Sequence, residues 1–322
     1  MPRSGGPKDR LIAGQRANAF RSFRVQNHLI ERDAPMHPVK AVNTGLTMGI
    51  GAASSIWRRA LFKALGSVYF RRKCRTSDGV FQAFVSSNCS LKVLSPRGLF
   101  IDPVHQRFIR DWIEPTSVVW DVGANLGLFA LPAALRAAKG RVYGFEPDVE
   151  LAANLYRTLR LPQNNGLKIS WFCLAISNQD STAAFQISKF SRAMNKLEGV
   201  GEWHNNQVIT DELRSVATMR IDTLSQSLSP PTVLKIDVEG AEMRVLEGGE
   251  ETISTHRPAI LIEGPRELWK KIGSFFRKYD YILLDGAAEF HVPLAEPVWD
   301  TIAVPREKFA RRRTHSNTFG NT

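Results

Sequence analysis

Acidic residues are scarce where the chain begins. The first 75 of its 322 residues hold 15 Lys/Arg against 3 Asp/Glu, a net of +12 that accounts for the whole formal excess; the remainder carries 28 residues of each sign. A neutral main domain with a basic extension fits this asymmetry, and such an extension suits an anionic surface, membrane or nucleic acid, as well as a plain solvated tail. Cysteine is scarce too. Cys74, Cys89 and Cys173 stand far apart, which excludes a disulfide framework or a CxxC zinc pattern and predicts a reducing compartment, the cytoplasm. The seven histidines show no HxxxH or HxH spacing, so no structural metal is expected. Long apolar runs are missing as well. Ala41 to Trp57 is uncharged, but its 17 residues include three Gly and several Ser/Thr, too short and too polar to span a bilayer. The first 30 residues lack the apolar core of a secretory signal, and their Arg-rich character also resembles an organellar presequence.

What the chain does have is a capacity for a core. With 43% hydrophobic and 23% charged residues, it reads as one large α/β domain plus an extension. Residues 1–75 form the extension. Within it, Ile56, Trp57, Ala60, Leu61, Leu65, Val68 and Tyr69 recur near helical spacing among Arg58, Arg59, Lys63 and Arg71–Lys73, a basic helix that lies either on a membrane surface or against the domain. Over 76–112, FQAFVS and SLKVLS predict a leading hairpin and Pro103 to Trp112 a helix. From 113 to 305, strands and helices alternate: SVVWDV, a helix over Leu126 to Ala138, RVYGFEP, a helix over Val149 to Leu159, LKISWFCLAI, then PTVLKIDV, a helix over Ala241 to Leu246, AILIEG, a helix over Glu267 to Tyr279, YILLD and WDTIAVP. Such alternation predicts a parallel sheet covered on both faces. The polar stretch 177–218 reads as an insertion on the substrate side, and 306–322 as a loose tail.

The join in VVWDVGANLGLFA (118–130) asks for a physical reason. A strand feeding a helix through glycines presents bare backbone N–H groups to a ligand at the helix N-terminus, outside the carboxyl ends of the strands. The spacing Asp121-x-Gly123-x-x-x-Gly127 is not the G-x-G-x-x-G of dinucleotide binding, and Leu128-Phe129 replace the G-K-S/T of a Walker loop. Glu146 ends the next strand, 23 residues beyond Gly123. Its carboxylate either accepts hydrogen bonds from the two hydroxyls of a ribose or serves as a helix N-terminal charge.

Together VVWDVGANLGLFALPAAL, GRVYGFEPD, VLKIDVEGAEMRVLEGG and HRPAILIEG, in this order, resemble the FkbM family of S-adenosylmethionine-dependent methyltransferases, over about Trp112 to Pro305. The resemblance implies a Rossmann-like class I methyltransferase fold: a seven-stranded, mostly parallel sheet with an antiparallel last strand and helices on both faces. It also implies S-adenosylmethionine as donor and O-methylation of a hydroxyl on a sugar, glycolipid or other natural product. Carried onto this sequence, Asp121, Gly123, Ala124, Asn125 and Gly127 form the loop at the methionine end of the cofactor. Glu146, with Pro147 beside it, takes the ribose, and Ala175 borders the adenine.

An alcohol needs a base to become a good nucleophile. Asp237 at the end of VLKID, Glu239 two residues on and Glu263 at the end of AILIE are the candidates. Asp237 could instead hold the cofactor's amino group or cap a helix, and Glu239 could pair with Lys235 or Arg244. Two such acids could also bind a divalent cation, a hypothesis without a visible ligand set that is dropped if activity survives chelation. The acceptor is expected to be a small molecule or saccharide, with Lys189, Arg192, Lys196, Trp203 and His204 of the insertion either contacting it or facing solvent. Nucleic acid is disfavoured, since KIDVEG stands where amino-methylating enzymes carry N/D-P-P-Y/F. A non-catalytic cofactor-binding scaffold is the remaining reading.

Overall fold

The computed structural model describes residues 68–86, 89, 99, 101–188, 191–200 and 212–317. The extension up to residue 67, with its uncharged stretch and most of its expected basic helix, lies outside the described residues.

An antiparallel hairpin leads, β1 (Tyr69–Thr76) and β2 (Gly79–Ser86), turning at Ser77 and Asp78. FQAFVS is therefore a hairpin strand, but its partner lies upstream; SLKVLS falls outside the described residues. Residues 69–73, expected to end the basic helix, are strand instead. Their side chains alternate, with Arg71, Lys73 and Arg75 exposed and Phe70 and Cys74 turned inward, a period of two that a helix would not preserve. The free edge of β2 is covered by buried side chains. Asn164 exchanges two hydrogen bonds with the Gln82 backbone (2.9 and 2.6 Å), Thr158 Oγ1 accepts from Phe84 N–H (3.1 Å) and Asn154 donates to Phe84 O (2.8 Å). Strand edges need such cover.

Helix α1 (Pro103–Trp112) follows, started by Asp102, whose carboxylate accepts from Val104 N–H (2.8 Å), and by Pro103 at the first position. Then come β3 (Val118–Val122), α2 (Ala130–Arg136), β4 (Arg141–Phe145), α3 (Val149–Leu159) and β5 (Ile169–Phe172). LKISWFCLAI is not one strand. It breaks after Phe172, and β6 (Ala175–Ile176) leaves for a second sheet with β7 (Ser181–Ile187), β8 (Lys196–Leu197) and β9 (Glu212–Met219), in the order β6-β9-β7-β8. The described part of the expected insertion thus contains β7, β8 and nearly all of β9. The remaining elements are α4 (Ile221–Leu224), β10 (Val233–Ile236), α5 (Glu242–Gly248), α6 (Glu250–His256), β11 (Ala259–Glu263), α7 (Arg266–Lys278), β12 (Tyr281–Asp285), β13 (Pro293–Leu294), β14 (Asp300–Pro305) and α8 (Arg306–Asn317).

The main sheet has the order β13-β12-β14-β11-β10-β3-β4-β5, with β14 inserted antiparallel between β11 and β12. Its seven long strands are those expected, inverted strand included. The eighth, two-residue β13 on the edge of β12, was not. Each central strand alternates between two apolar layers: Val119, Val142, Val233 and Leu261 pack with Phe81, Phe108, Leu131 and Leu155 on one face, and Trp120, Tyr143, Leu234 and Ile260 with Leu246, Ile253 and Phe276 on the other. This two-sided burial is why the strands read as continuous apolar runs. Residues 306–317 are helix rather than loose tail; Phe309 is buried and Arg257 forks onto Glu307 (2.7 and 2.8 Å). Among the described residues, no helix is long and apolar enough to cross a membrane.

Candidate active site

The chain order reverses between β3 and β10, and their carboxyl ends open a crevice there. Gly123 leaves β3 with φ +81°, and a Cβ on it would stand 1.8 Å from the carbonyl oxygen of Asp237 at the end of β10. The glycine is thus required by a close backbone approach. Its expected role as a donor of bare N–H groups is not what the structure places there: the N–H groups of Gly123 and Ala124 both donate to Phe145 O (3.0 Å), and that of Gly127 to Ala124 O (2.7 Å). Asn125, at φ +49°, donates its N–H to Glu146 Oε2 (2.8 Å), and Asp148 N–H binds Glu146 Oε1 (2.8 Å). Burial pushes the Glu146 carboxyl up to about 7, against the pull of these two N–H groups. Two of its lone-pair positions stay available.

A cleft runs from this turn to the second sheet. Of the residues singled out in the sequence, Gly123, Asn125, Glu146, Pro147, Ala175, Arg192, Asp237 and Glu239 line it. Asp121, Ala124, Gly127 and Glu263 are not among its lining residues. Asp121 is fully buried below the turn, Ala124 is buried, and Gly127 packs where a Cβ would stand 2.9 Å from Leu155.

Lys235 ties the floor together. Its buried ammonium donates to Gly123 O (2.8 Å) and lies 3.1 Å from Asp237 Oδ2 and 3.3 Å from Asp121 Oδ1. The Asp121 contact is an ion pair by distance, but neither carboxylate oxygen meets hydrogen-bond geometry. Burial alone would lower the Lys235 ammonium; Asp121, Asp237 and Glu263 together hold it above its ordinary value. The alternative pairings of Glu239 are not formed, since Lys235 is taken and Arg244 donates to Gly199 O (3.2 Å). Glu239 sits at φ +53° on the cleft wall; the residue is exposed, yet the walls around its carboxyl, then Asp237, Glu242 and Glu263, push it up to about 8. Glu263 Oε1 lies 3.2 Å from His105 Nε2 of α1 and pairs in register with Asp300.

Sequence reasoning missed His105, Asp148 and the wall formed by Phe185, Ala193, Asn195 and Leu197. Asp148 stood in the quoted GFEPD and was the one available signal. Arg192 lines the cleft with its guanidinium on Asp148 and Glu150. Lys196 lies in β8, while Lys189, Trp203 and His204 lie outside the described residues.

Burial raises Glu146, Glu242 and Asp300 each to about 7. Between their ordinary values near 4 and pH 7 the folded chain therefore holds more protons than the unfolded one, so stability present at the acid end is lost as pH rises through 7. The melting temperature of the ligand-free protein is expected to fall between about pH 5.5 and about pH 8, with a shallower slope in Glu242→Gln. Thermal melts across this range check it; a rising melting temperature would contradict it.

The inverted strand, the glycine turn after β3 and the acid after β4 define a methyltransferase of Rossmann-like fold. Residues 121–283, half of the chain, match the Methyltransferase FkbM domain, and the protein belongs to that family. Three relatives resemble it. The AMB antimetabolite synthetase AmbE of Pseudomonas aeruginosa is 30% identical over 202 residues, 51% of this chain and 9% of that protein. The hexuronic acid methyltransferase AglP of Haloferax volcanii is 26% identical over 144 residues, 44% of this chain and 54% of the relative. The 2-O-methyltransferase NoeI of Sinorhizobium fredii is 26% identical over 179 residues, 52% and 71%. The chain thus spans a small part of the first, about half of the second and most of the third.

S-adenosylmethionine is the cofactor of this family, and the residues present fit it. Glu146 keeps lone pairs for a ribose diol, and Leu174, Ile176, Phe185 and Leu197 give apolar walls for a flat base. Asn125 Oδ1 is buried beside the cleft without a hydrogen-bond partner, an acceptor that a ligand donor would satisfy.

Proposed function

We propose that the protein O-methylates a hydroxyl group of a saccharide or saccharide-bearing acceptor. The observation that carries this reading is Glu239, a carboxylate on the cleft wall beside Asp237 with no ion pair among the described residues, its acidity weakened by the walls and the acids around it. A general base works best when its pKa lies near the working pH. The relatives that methylate a hexuronic acid and a 2-hydroxyl, by their names, support the acceptor class.

When bound, S-adenosylmethionine supplies an electrophilic methyl group on a sulfonium, so the chain's task is alignment and proton removal. Glu239 would take the proton from the acceptor hydroxyl. Asp237, held by Lys235, would lie beside the cationic part of the cofactor. Glu146 and Asn125 would hold the ribose end, with Pro147 and Ala175 beside the base. Glu263, at the end of the neighbouring strand β11 and 3.2 Å from His105 of α1, lies outside the lining of this cleft and takes no step here.

The first test is calorimetric titration with S-adenosylmethionine and S-adenosylhomocysteine. Glu146→Ala is expected to weaken both by more than tenfold, about 1.4 kcal/mol or more. Methyl transfer to a panel of hexuronic acids and neutral sugars then tests the acceptor class. A wild-type protein that binds neither cofactor form would sink the reading.

A further inference from the structure

Asp148 has no solvent exposure, and its contacts join two parts of the cleft. Its backbone N–H holds Glu146 Oε1 (2.8 Å). Its carboxylate accepts from Arg192 Nη1, from Asn195 Nδ2 (2.9 Å), from Arg214 Nη1 (3.2 Å) and, as the cap of α3, from Glu150 N–H (2.9 Å). Asn195 is used twice, its Oδ1 accepting from Ser188 N–H (2.8 Å). On the solvent side Glu150 repeats the pattern with the same two arginines. The segment so fastened, residues 191–197, contributes Arg192, Ala193, Asn195 and Leu197 to the cleft.

A helix cap needs one side-chain acceptor and no arginine. A buried ion pair is a weak source of stability, since desolvation offsets most of its attraction, but a strong constraint on geometry. We infer that Asp148 is a positioning residue for the cofactor: it locks the ribose-side carboxylate Glu146 to the 191–197 wall, so that the two hold the cofactor as one unit. The inference rests on the reading of Glu146 as the ribose seat. It gives the second sheet a cofactor-side role beside the substrate-side role expected from the sequence.

Two variants of the full chain test it, Asp148→Asn and Arg192→Gln, by calorimetry with S-adenosylhomocysteine and by hydrogen exchange over residues 191–197. In the wild type the ligand is expected to slow exchange in this segment. In both variants that protection is lost and affinity falls at least tenfold. A lowered melting temperature with unchanged affinity and unchanged protection would show a merely structural clamp and overturn the inference. If Asp148→Asn does not fold, Arg192→Gln, which leaves Asp148 its bonds from Asn195 and Arg214, decides alone. A wild type that binds without protecting 191–197 overturns this inference only; a wild type that does not bind overturns the ribose-seat reading beneath it.

Discussion

Gly123→Ala is expected to lower stability by about 2–5 kcal/mol, from overpacking of about 1–3 and a left-handed backbone of about 1–2. The added Cβ would stand 1.8 Å from Asp237 O and 2.9 Å from its carbonyl carbon, atoms of the backbone that no rotamer change can move. Nor can either segment retreat. Asp237 N–H is bonded to Val122 O (3.1 Å), and Gly123 N–H to Phe145 O (3.0 Å). Any relief displaces Asp237 and the turn that meets Glu146, so S-adenosylhomocysteine binding should be lost in whatever fraction still folds. Gly166→Ala is the control: it shares a positive φ, +90°, but a Cβ there meets nothing within 4 Å, leaving the backbone term of about 1–2 kcal/mol alone. Urea unfolding of both variants measures the difference. Equal losses would mean that the approach of Gly123 to β10 carries no energy.

The second large effect lies one layer below. Lys235→Met should destabilise by about 3–5 kcal/mol, because it leaves the Asp121 carboxylate sealed from water without its cation. The Asp121 oxygens have no hydrogen-bond partner in acceptable geometry, so the attraction of Lys235 at 3.3 Å carries their compensation. Gly123 O loses a donor as well. The deficit should depend on pH. Without Lys235 the Asp121 carboxyl is pushed further up in the folded state, so stability is regained as pH falls and Asp121 takes a proton, and lost again as pH rises. The double variant Asp121→Asn, Lys235→Met, which removes both charges, should recover a large part of the loss. A single-variant loss below about 1 kcal/mol, flat across pH, would refute the pairing.

What the sequence determined by itself was the layered α/β frame and the places where chemistry collects. Strands such as VVWDV and AILIE declare themselves because both of their faces are apolar, and Asp121, Glu146, Asp237 and Glu263 follow because each stands at or near a strand's carboxyl end. These are local patterns, set by the period of side chains along one segment. The tertiary structure alone decided the rest. Tyr69–Thr76 became a strand paired with β2, and a polar stretch contributed strands to a second sheet, because strand pairing depends on hydrogen bonds between segments and not on the pattern of one segment alone. Gly123 proved necessary for its approach to Asp237, 114 residues away, while its N–H was already spent on Phe145. Asp148 met Arg192 and His105 met Glu263 across 44 and 158 residues. Charges that far apart along the chain leave no periodic trace in it; only the folded backbone brings them within reach.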